Sequence, residues 1–135
     1  MKAGRGVSMV GLSLAALFGV VSWLISVVPW TVLAVLAYLA NVSVGTASAR
    51  GRRVGRAWHS RLFIVTCVLT AFAAVFSFPG DWGRGLWLLV ALVPLALLPH
   101  FGTGAARRPR RHALLALTAA PCYLAALILW AADLG

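Results

Sequence analysis

Residues 50–61 read RGRRVGRAWHSR and hold five of the twelve basic residues of the chain. On both sides of this stretch the sequence is nearly free of charge and apolar over lengths that suit a membrane span. A basic run is typical either of a nucleic-acid patch or of a cytoplasmic loop that orients a membrane protein. The apolar flanks favour the loop, and we expect no nucleic-acid partner.

The composition of the whole chain excludes an ordinary soluble domain. Of its 135 residues, 62% are hydrophobic and 10% are charged, whereas soluble domains are about 45–50% apolar and about 25% charged. Too little polar surface is available to cover a globule in water. Inside lipid, backbone groups must be hydrogen-bonded within each segment, so the spans should be helices. We therefore predict an all-α, polytopic integral membrane helical bundle.

Five apolar stretches are long enough to cross the hydrocarbon core of a bilayer. The basic N-terminal residues followed by an apolar run also resemble a secretory signal. That run continues to Val28 without an A-x-A cleavage site, which favours an uncleaved first span. The sequence thus predicts a single transmembrane domain over residues 1–135, with spans at about 6–28, 30–49, 62–78, 85–101 and 113–132.

The distribution of charge predicts how the chain is threaded. Five spans place eleven of the twelve basic residues at one end of the bundle, and Arg84 with both acids, Asp81 and Asp133, at the other. Because Lys and Arg are enriched in cytoplasmic loops, we predict that the N-terminus is inside and the C-terminus outside. The excess of Arg over Lys, with abundant Ala, Gly, Leu and Val, is typical of a GC-rich genome. We expect a bacterial inner membrane.

The arginines of the inner end are predicted to set the topology and to contact anionic lipid headgroups or an acidic surface of a partner protein. These residues are Arg50, Arg52, Arg53, Arg56, Arg61, Arg107, Arg108, Arg110 and Arg111.

Polar side chains inside the predicted spans are few. None of these spans contains Asp, Glu, Lys or Arg, which argues against a proton-coupled transporter and against carboxylate-based catalysis. Asn41 is the most polar side chain well inside a span, and it acts either as a clamp between helices or as part of a polar path. The candidates for these roles are Asn41, Tyr38, Ser43, Thr118 and Tyr123.

Prolines and small residues predict how the helices bend and pack. Pro94 and Pro121 should kink the fourth and fifth spans, and Pro99 should end the fourth. Thr118, Cys122 and Tyr123 are the nearest groups that could bond the carbonyls freed by Pro121. Gly11, Ala15 and Gly19 share one face of the first span, which permits close packing against the second span or another chain.

Three histidines, His59, His100 and His112, map to the inner face. They raise the alternatives of a metal site and a pH-sensitive cluster. Because arginines surround them, a cation is disfavoured there, and we predict no metal and no cofactor. Cys67 and Cys122 lie in apolar runs without metal-binding spacing and are interpreted as packing residues.

No sequence motif points to an enzyme: G-x-S-x-G, H-E-x-x-H and the P-loop are all absent from the chain. We expect a non-catalytic accessory or structural subunit of a larger membrane protein complex, in contact with lipid and with other membrane subunits or with itself. The alternative is a small homo-oligomeric channel, exporter or membrane-permeabilising protein. A membrane enzyme that uses the inner-face histidines is a weaker alternative.

Overall fold

The computed structural model describes residues 9–52, 55–102 and 109–135. In these ranges the chain is helical and contains no strand, which confirms the all-α prediction. The helices are α1 (Met9–Val27), α2 (Trp30–Ala49), α3 (Arg56–Ser77), α4 (Trp82–Gly102), α5 (Pro109–Leu117) and α6 (Ala120–Ala132).

Four segments of the described chain are long and apolar enough to cross a membrane. They are Trp30–Ser48, Ala57–Ser77, Trp82–Pro99 and Arg111–Ala132. The helix α1 was predicted as the first of five spans. The part of it whose side chains are described, Ser13–Trp23, is apolar but shorter than these four segments. The chain is therefore a membrane-embedded helical bundle. Its orientation in the membrane stays a prediction.

The basic stretch 50–61 is not a loop over its whole length. Gly51 (φ +83°) ends α2: its N–H bonds the Ser48 carbonyl at 3.0 Å, and the N–H of Arg52 bonds the Ala47 carbonyl at 3.1 Å. This is the Schellman end that a left-handed glycine permits. The next helix, α3, begins at Arg56 rather than near residue 62. The helix is therefore longer at its start than the predicted span 62–78, since charged residues do not prevent a helix from extending past an apolar stretch.

The fourth helix is longer at both ends than predicted. It begins at Trp82, because the Oδ1 atom of Asp81 accepts a 3.0 Å bond from the N–H of Arg84 and so caps its first turn. It continues through Pro94 and Pro99 to Gly102. Pro99 does not end it, contrary to the prediction. In membrane helices, neighbouring groups and local adjustments compensate for the missing proline N–H.

The last predicted span is two helices rather than one. The helices α5 and α6 are separated at Thr118 and Ala119, just before Pro121. Proline lacks an N–H and disfavours helical geometry in the residue before it, so the helical bonding is interrupted at this point. The predicted kink at Pro121 therefore coincides with a break, whereas α4 stays helical through Pro94.

Helices α2, α3, α4 and the α5–α6 pair pack in sequence order around a common core, and the α5–α6 pair also packs on α2, which closes the ring. The first helix, α1, belongs to none of the well-packed pairs. Every described side chain of Ser13–Trp23 is exposed.

Many of the buried residues are alanines, although Leu88, Leu95 and Leu98 on α4 are buried too, and many large apolar residues lie outside the bundle. Ala34, Ala74, Ala91 and Ala126 are completely buried, whereas large side chains on the same helices are exposed. Examples of these exposed residues are Leu36, Val75, Val93 and Ile128. This arrangement is typical of membrane helices, whose backbones approach closely through small residues while lipid covers the large ones.

Candidate functional site: a polar seam inside the bundle

The buried polar side chains of the bundle lie on three of its four sides. They belong to α2, α3 and α6, whereas α4 presents an apolar inner face that includes Leu88, Leu95 and Leu98. We call this set the polar seam; its members are Thr31, Tyr38, Asn41, Thr66, Thr70, Ser77 and Tyr123.

Two stacked tyrosines form the centre of the seam. The rings of Tyr38 and Tyr123 lie 4.3 Å apart between centroids, with 21° between their planes. The Tyr123 hydroxyl lies 2.5 Å from the Thr70 Oγ1 atom. Because Thr70 gives its only hydroxyl hydrogen to the Thr66 carbonyl at 2.7 Å, Tyr123 is the donor to Thr70. The two tyrosines predicted as polar candidates therefore meet in the core.

Backbone carbonyls next to the break between α5 and α6 accept hydrogen bonds from side chains, one of which belongs to another helix. The Tyr38 hydroxyl donates to the Ala116 carbonyl at 2.9 Å, and the Thr118 hydroxyl donates to the Leu115 carbonyl at 2.7 Å. Thr118, Cys122 and Tyr123 were predicted to bond the carbonyls freed by Pro121. Thr118 instead bonds the Leu115 carbonyl, which lies earlier in the last turn of α5, and the Tyr123 hydroxyl points to Thr70.

Sequence reasoning missed the hydroxyls of α3 and the first turn of α2. Thr66 and Thr70 are completely buried, and Ser77 and Thr31 are each 3% exposed. The Thr66 hydroxyl reaches two carbonyl oxygens, that of Leu62 at 2.8 Å and that of Ala37 on α2 at 3.1 Å. Hydroxyls at positions 66, 70 and 77 share one helical face, and this spacing was the available signal.

On the arginine-rich side of the bundle, three buried polar atoms have no hydrogen-bond partner. They are the Oδ1 atom of Asn41, a member of the seam, and the Nδ1 atoms of His59 and His112, which are not members. His59 packs against α2, with its Cε1 atom 3.7 Å from the position of a Cβ at Gly45, one turn from Asn41. The side chain of His100 lies outside the described set.

Ser43 lies away from the seam. It is exposed, and its hydroxyl donates to the Leu39 carbonyl of its own helix at 2.8 Å. Thr118 is exposed as well. The five polar candidates therefore divide into three that meet in the interior and two that bond their own backbone.

At the other end, Arg84 links three helices. Its Nη1 atom donates to Asp133 Oδ2 at 2.9 Å, and its Nε atom donates to Ser77 Oγ at 3.0 Å and lies 3.9 Å from Asp81 Oδ2. Asp81 and Asp133 therefore share this one cation. A cavity of about 340 Å³ beside it is lined by Arg84 and Asp133 together with Trp30 and Trp130.

The arginines of the inner end that the structure describes are exposed. Arg50 and Arg52 follow α2, Arg61 lies in α3 and Arg111 lies in α5. Arg56 and Arg110 belong to helices, but their side chains are outside the described set. Arg53, Arg107 and Arg108 lie outside the described residues.

The predicted small-residue face of α1 is open. Ala15 is exposed, and a Cβ placed on Gly19 would meet no atom within 4 Å. Gly11 belongs to the same helix, with its surroundings outside the described set. The other helices of the chain therefore do not cover Ala15 and Gly19.

Within residues 9–52, 55–102 and 109–135, no three His, Cys, Asp or Glu side chains are grouped as a metal site would require. Cys67 and Cys122 are free thiols. The chain matches no family model, no curated protein and no solved structure. Its function is therefore argued from the site alone.

Proposed function

We propose that this chain is a non-catalytic accessory subunit of a larger membrane assembly and that α1 is its docking helix. The observation that supports the proposal is the position of α1. The ring of α2 to α6 is closed without it, and the small residues Ala15 and Gly19 lie on its exposed surface.

The surface of α1 suits a helix of another protein better than lipid alone. Ala15 and Gly19 lie on one face; Ala15 is exposed, and within the described part of the chain no atom lies within 4 Å of a Cβ placed on Gly19. Small residues at this spacing let two helix backbones approach closely, and van der Waals contact then drives their association within the membrane. The partner contributes an apolar transmembrane helix, and in this arrangement the chain stabilises or positions that larger protein.

The same proposal assigns a role to the arginine-rich end. We place it at the cytoplasmic face of a bacterial inner membrane, where Arg50, Arg52, Arg61 and Arg111 contact anionic headgroups or an acidic surface of the partner. A basic residue near an anionic membrane surface is stabilised by about 1 kcal/mol. The opposite end carries Asp81, Arg84 and Asp133, which balance one another within the chain.

Native mass measurement tests the accessory role. The tagged full-length chain is expressed in its own host and extracted in mild detergent, and every co-purifying chain is identified. A larger membrane protein in constant stoichiometry is the expected result. A monodisperse species that contains this chain alone would contradict the accessory role.

The polar seam favours a second candidate function, permeation of a small polar solute. Its side chains extend from Asn41 near one end, through Tyr38, Tyr123 and Thr70, to Ser77 at the other. In purified liposomes, solute flux that Asn41→Ala lowers and Ser43→Ala leaves unchanged would support this function. Ser43 is the matched control because it is a polar residue of the same helix outside the seam. Absence of flux for every ion and solute would exclude this function.

A further inference from the structure

We propose that Asn41, His59 and His112 form a binding site for a small inorganic anion such as chloride. This site is independent of the docking role of α1, because it lies inside the bundle. Three observations lead to it: the unpaired buried atoms, their common depth, and the charge at that end of the molecule.

The three side chains have polar atoms that need a partner. The Asn41 Oδ1 atom and the Nδ1 atoms of both histidines are buried without a hydrogen bond, and Asn41 as a whole is 6% exposed. Buried polar atoms are nearly always paired in proteins, and an exception calls for an explanation such as a bound ion. Three such atoms from three different helices form a set of convergent groups rather than one isolated exception.

Helix register places the three residues within about one turn of one another in depth. On α2, Asn41 lies one turn before Gly45, which His59 contacts. On α5, His112 lies one turn before Ala116, whose carbonyl accepts from Tyr38. Tyr38 is in turn one turn from Asn41. Because α2 packs against both α3 and α5, the three residues belong to the same part of the bundle.

The charge at this end favours an anion over a cation. Both carboxylates of the chain, Asp81 and Asp133, belong to the opposite end. Arg61 and Arg111 are exposed beside the two histidines, and the side chain of Asn41 is neutral. A metal ion would lack a compensating negative ligand here, whereas an anion would be attracted by the surrounding arginines.

Each group can donate a hydrogen bond to the anion. A protonated imidazole is a donor at Nδ1, and rotation of the Asn41 amide by half a turn presents its NH₂ group instead of Oδ1. An anion interacts more strongly with a protonated imidazole than with a neutral one. Protons and the anion should therefore bind together, and the affinity should rise as the pH falls. The other titratable or charged side chains described at this level are Tyr38 on α2, which donates to the Ala116 carbonyl, and the exposed Arg61 on α3 and Arg111 on α5. The fourth helix, α4, brings His100 to this end, with its side chain outside the described set.

The test is an NMR titration of the imidazole resonances of the full chain in detergent micelles. Sodium chloride replaces sodium gluconate at constant ionic strength, at pH 6 and at pH 8. The site predicts saturable shifts of His59 and His112 with one shared dissociation constant, several-fold lower at pH 6. Shifts that grow linearly without saturation, or an affinity that is equal at both pH values, would overturn the proposal.

Variants distinguish this site from general attraction by the arginines. Asn41→Leu should weaken chloride binding about tenfold or more, because one of three donors is lost, whereas Ser43→Ala should leave it unchanged. If Asn41→Leu does not fold, the pair His59→Gln and His112→Gln, read from the chloride dependence of thermal unfolding, replaces it. Unchanged chloride dependence in that double variant would overturn the proposal. Saturable binding of Zn²⁺ that chloride does not oppose would overturn it too, since it would identify a cation site.

Discussion

The hydroxyl of Tyr38 on α2 donates a 2.9 Å hydrogen bond to the backbone carbonyl of Ala116, at the end of α5. This contact joins residues 78 positions apart in the sequence. Its acceptor, the Ala116 carbonyl, lies next to the interruption between α5 and α6, just before Pro121. The break is therefore stabilised by a side chain from a neighbouring helix, as lipid cannot supply a hydrogen bond.

We expect Tyr38→Phe to lower the free energy of unfolding by about 1 kcal/mol, within the range of interhelical hydrogen bonds in membranes. The aromatic stack with Tyr123 is retained, so the loss reports the hydroxyl alone. Thermal or denaturant unfolding in a mild detergent measures it. Tyr123→Phe is the comparison, and its loss should be smaller because Thr70 keeps its bond to the Thr66 carbonyl. Equal stability of Tyr38→Phe and wild type would contradict this assignment.

Close packing through alanine predicts the result of enlarging single positions on α4. Ala91 is completely buried and Ala96 is exposed on the same helix. We expect Ala91→Leu to destabilise the fold by about 1–3 kcal/mol through overpacking. The matched variant Ala96→Leu should leave the melting temperature nearly unchanged, since its side chain faces lipid or detergent. Similar melting temperatures for the two variants would show that the inner face of α4 is assigned incorrectly.

The ion pairs of Arg84 predict a graded response to substitution. Arg84→Gln removes contacts to Ser77, Asp81 and Asp133 together, so it should lower the melting temperature more than Asp133→Asn. Asp133 is the more exposed partner, and its loss should cost at most about 1 kcal/mol. At 1 M salt the effect of Asp133→Asn should shrink, because exposed charges are screened. A larger effect of Asp133→Asn than of Arg84→Gln would exclude Arg84 as the centre of the cluster.

The predicted orientation can be read from cysteine accessibility in whole cells. Gly80 lies between α3 and α4, and Arg52 lies between α2 and α3, at opposite ends of the bundle. With the arginine-rich end in the cytoplasm, a membrane-impermeant maleimide should label Gly80→Cys from outside and should label Arg52→Cys only after lysis. The background carries Cys67→Ala and Cys122→Ala. The reverse labelling pattern would place the arginine-rich end outside.

The sequence predicted where the helices lie better than which faces they bury. Span positions follow from the length of apolar runs, which a bilayer constrains directly. The buried faces could not be read from hydropathy, because Leu36 outside and Ala34 inside are both apolar. The size of a side chain and the spacing of hydroxyl residues indicate the buried face better, as Ala34 and the buried Thr66 and Thr70 illustrate. The Arg84 cluster was missed because Asp133 is 49 positions from Arg84 in the sequence and only the ring of helices brings the two together.

Only part of the candidate site was predicted, again because contacts between helices cannot be read from one sequence. Asn41 was singled out because an amide inside a span needs a partner. Its proximity to His59 and His112 depends on the relative depth of three helices, which a single sequence does not reveal. Ser43 carried the same polar signal as Tyr38, but its position on the helix turns it away from the interior.

The measurement that tests the docking role of α1 most directly compares Ala15→Leu with Ala16→Leu in the native host. Both residues are exposed alanines of α1, but Ala15 is the middle residue of the face formed by Gly11, Ala15 and Gly19, whereas Ala16 is turned about 100° away from Ala15 around the helix axis. The account predicts that Ala15→Leu loses the co-purifying membrane partner without a change in melting temperature, whereas Ala16→Leu retains it in wild-type amount. Equal retention of the partner by both variants, or purification of the wild type without any partner, would contradict the account.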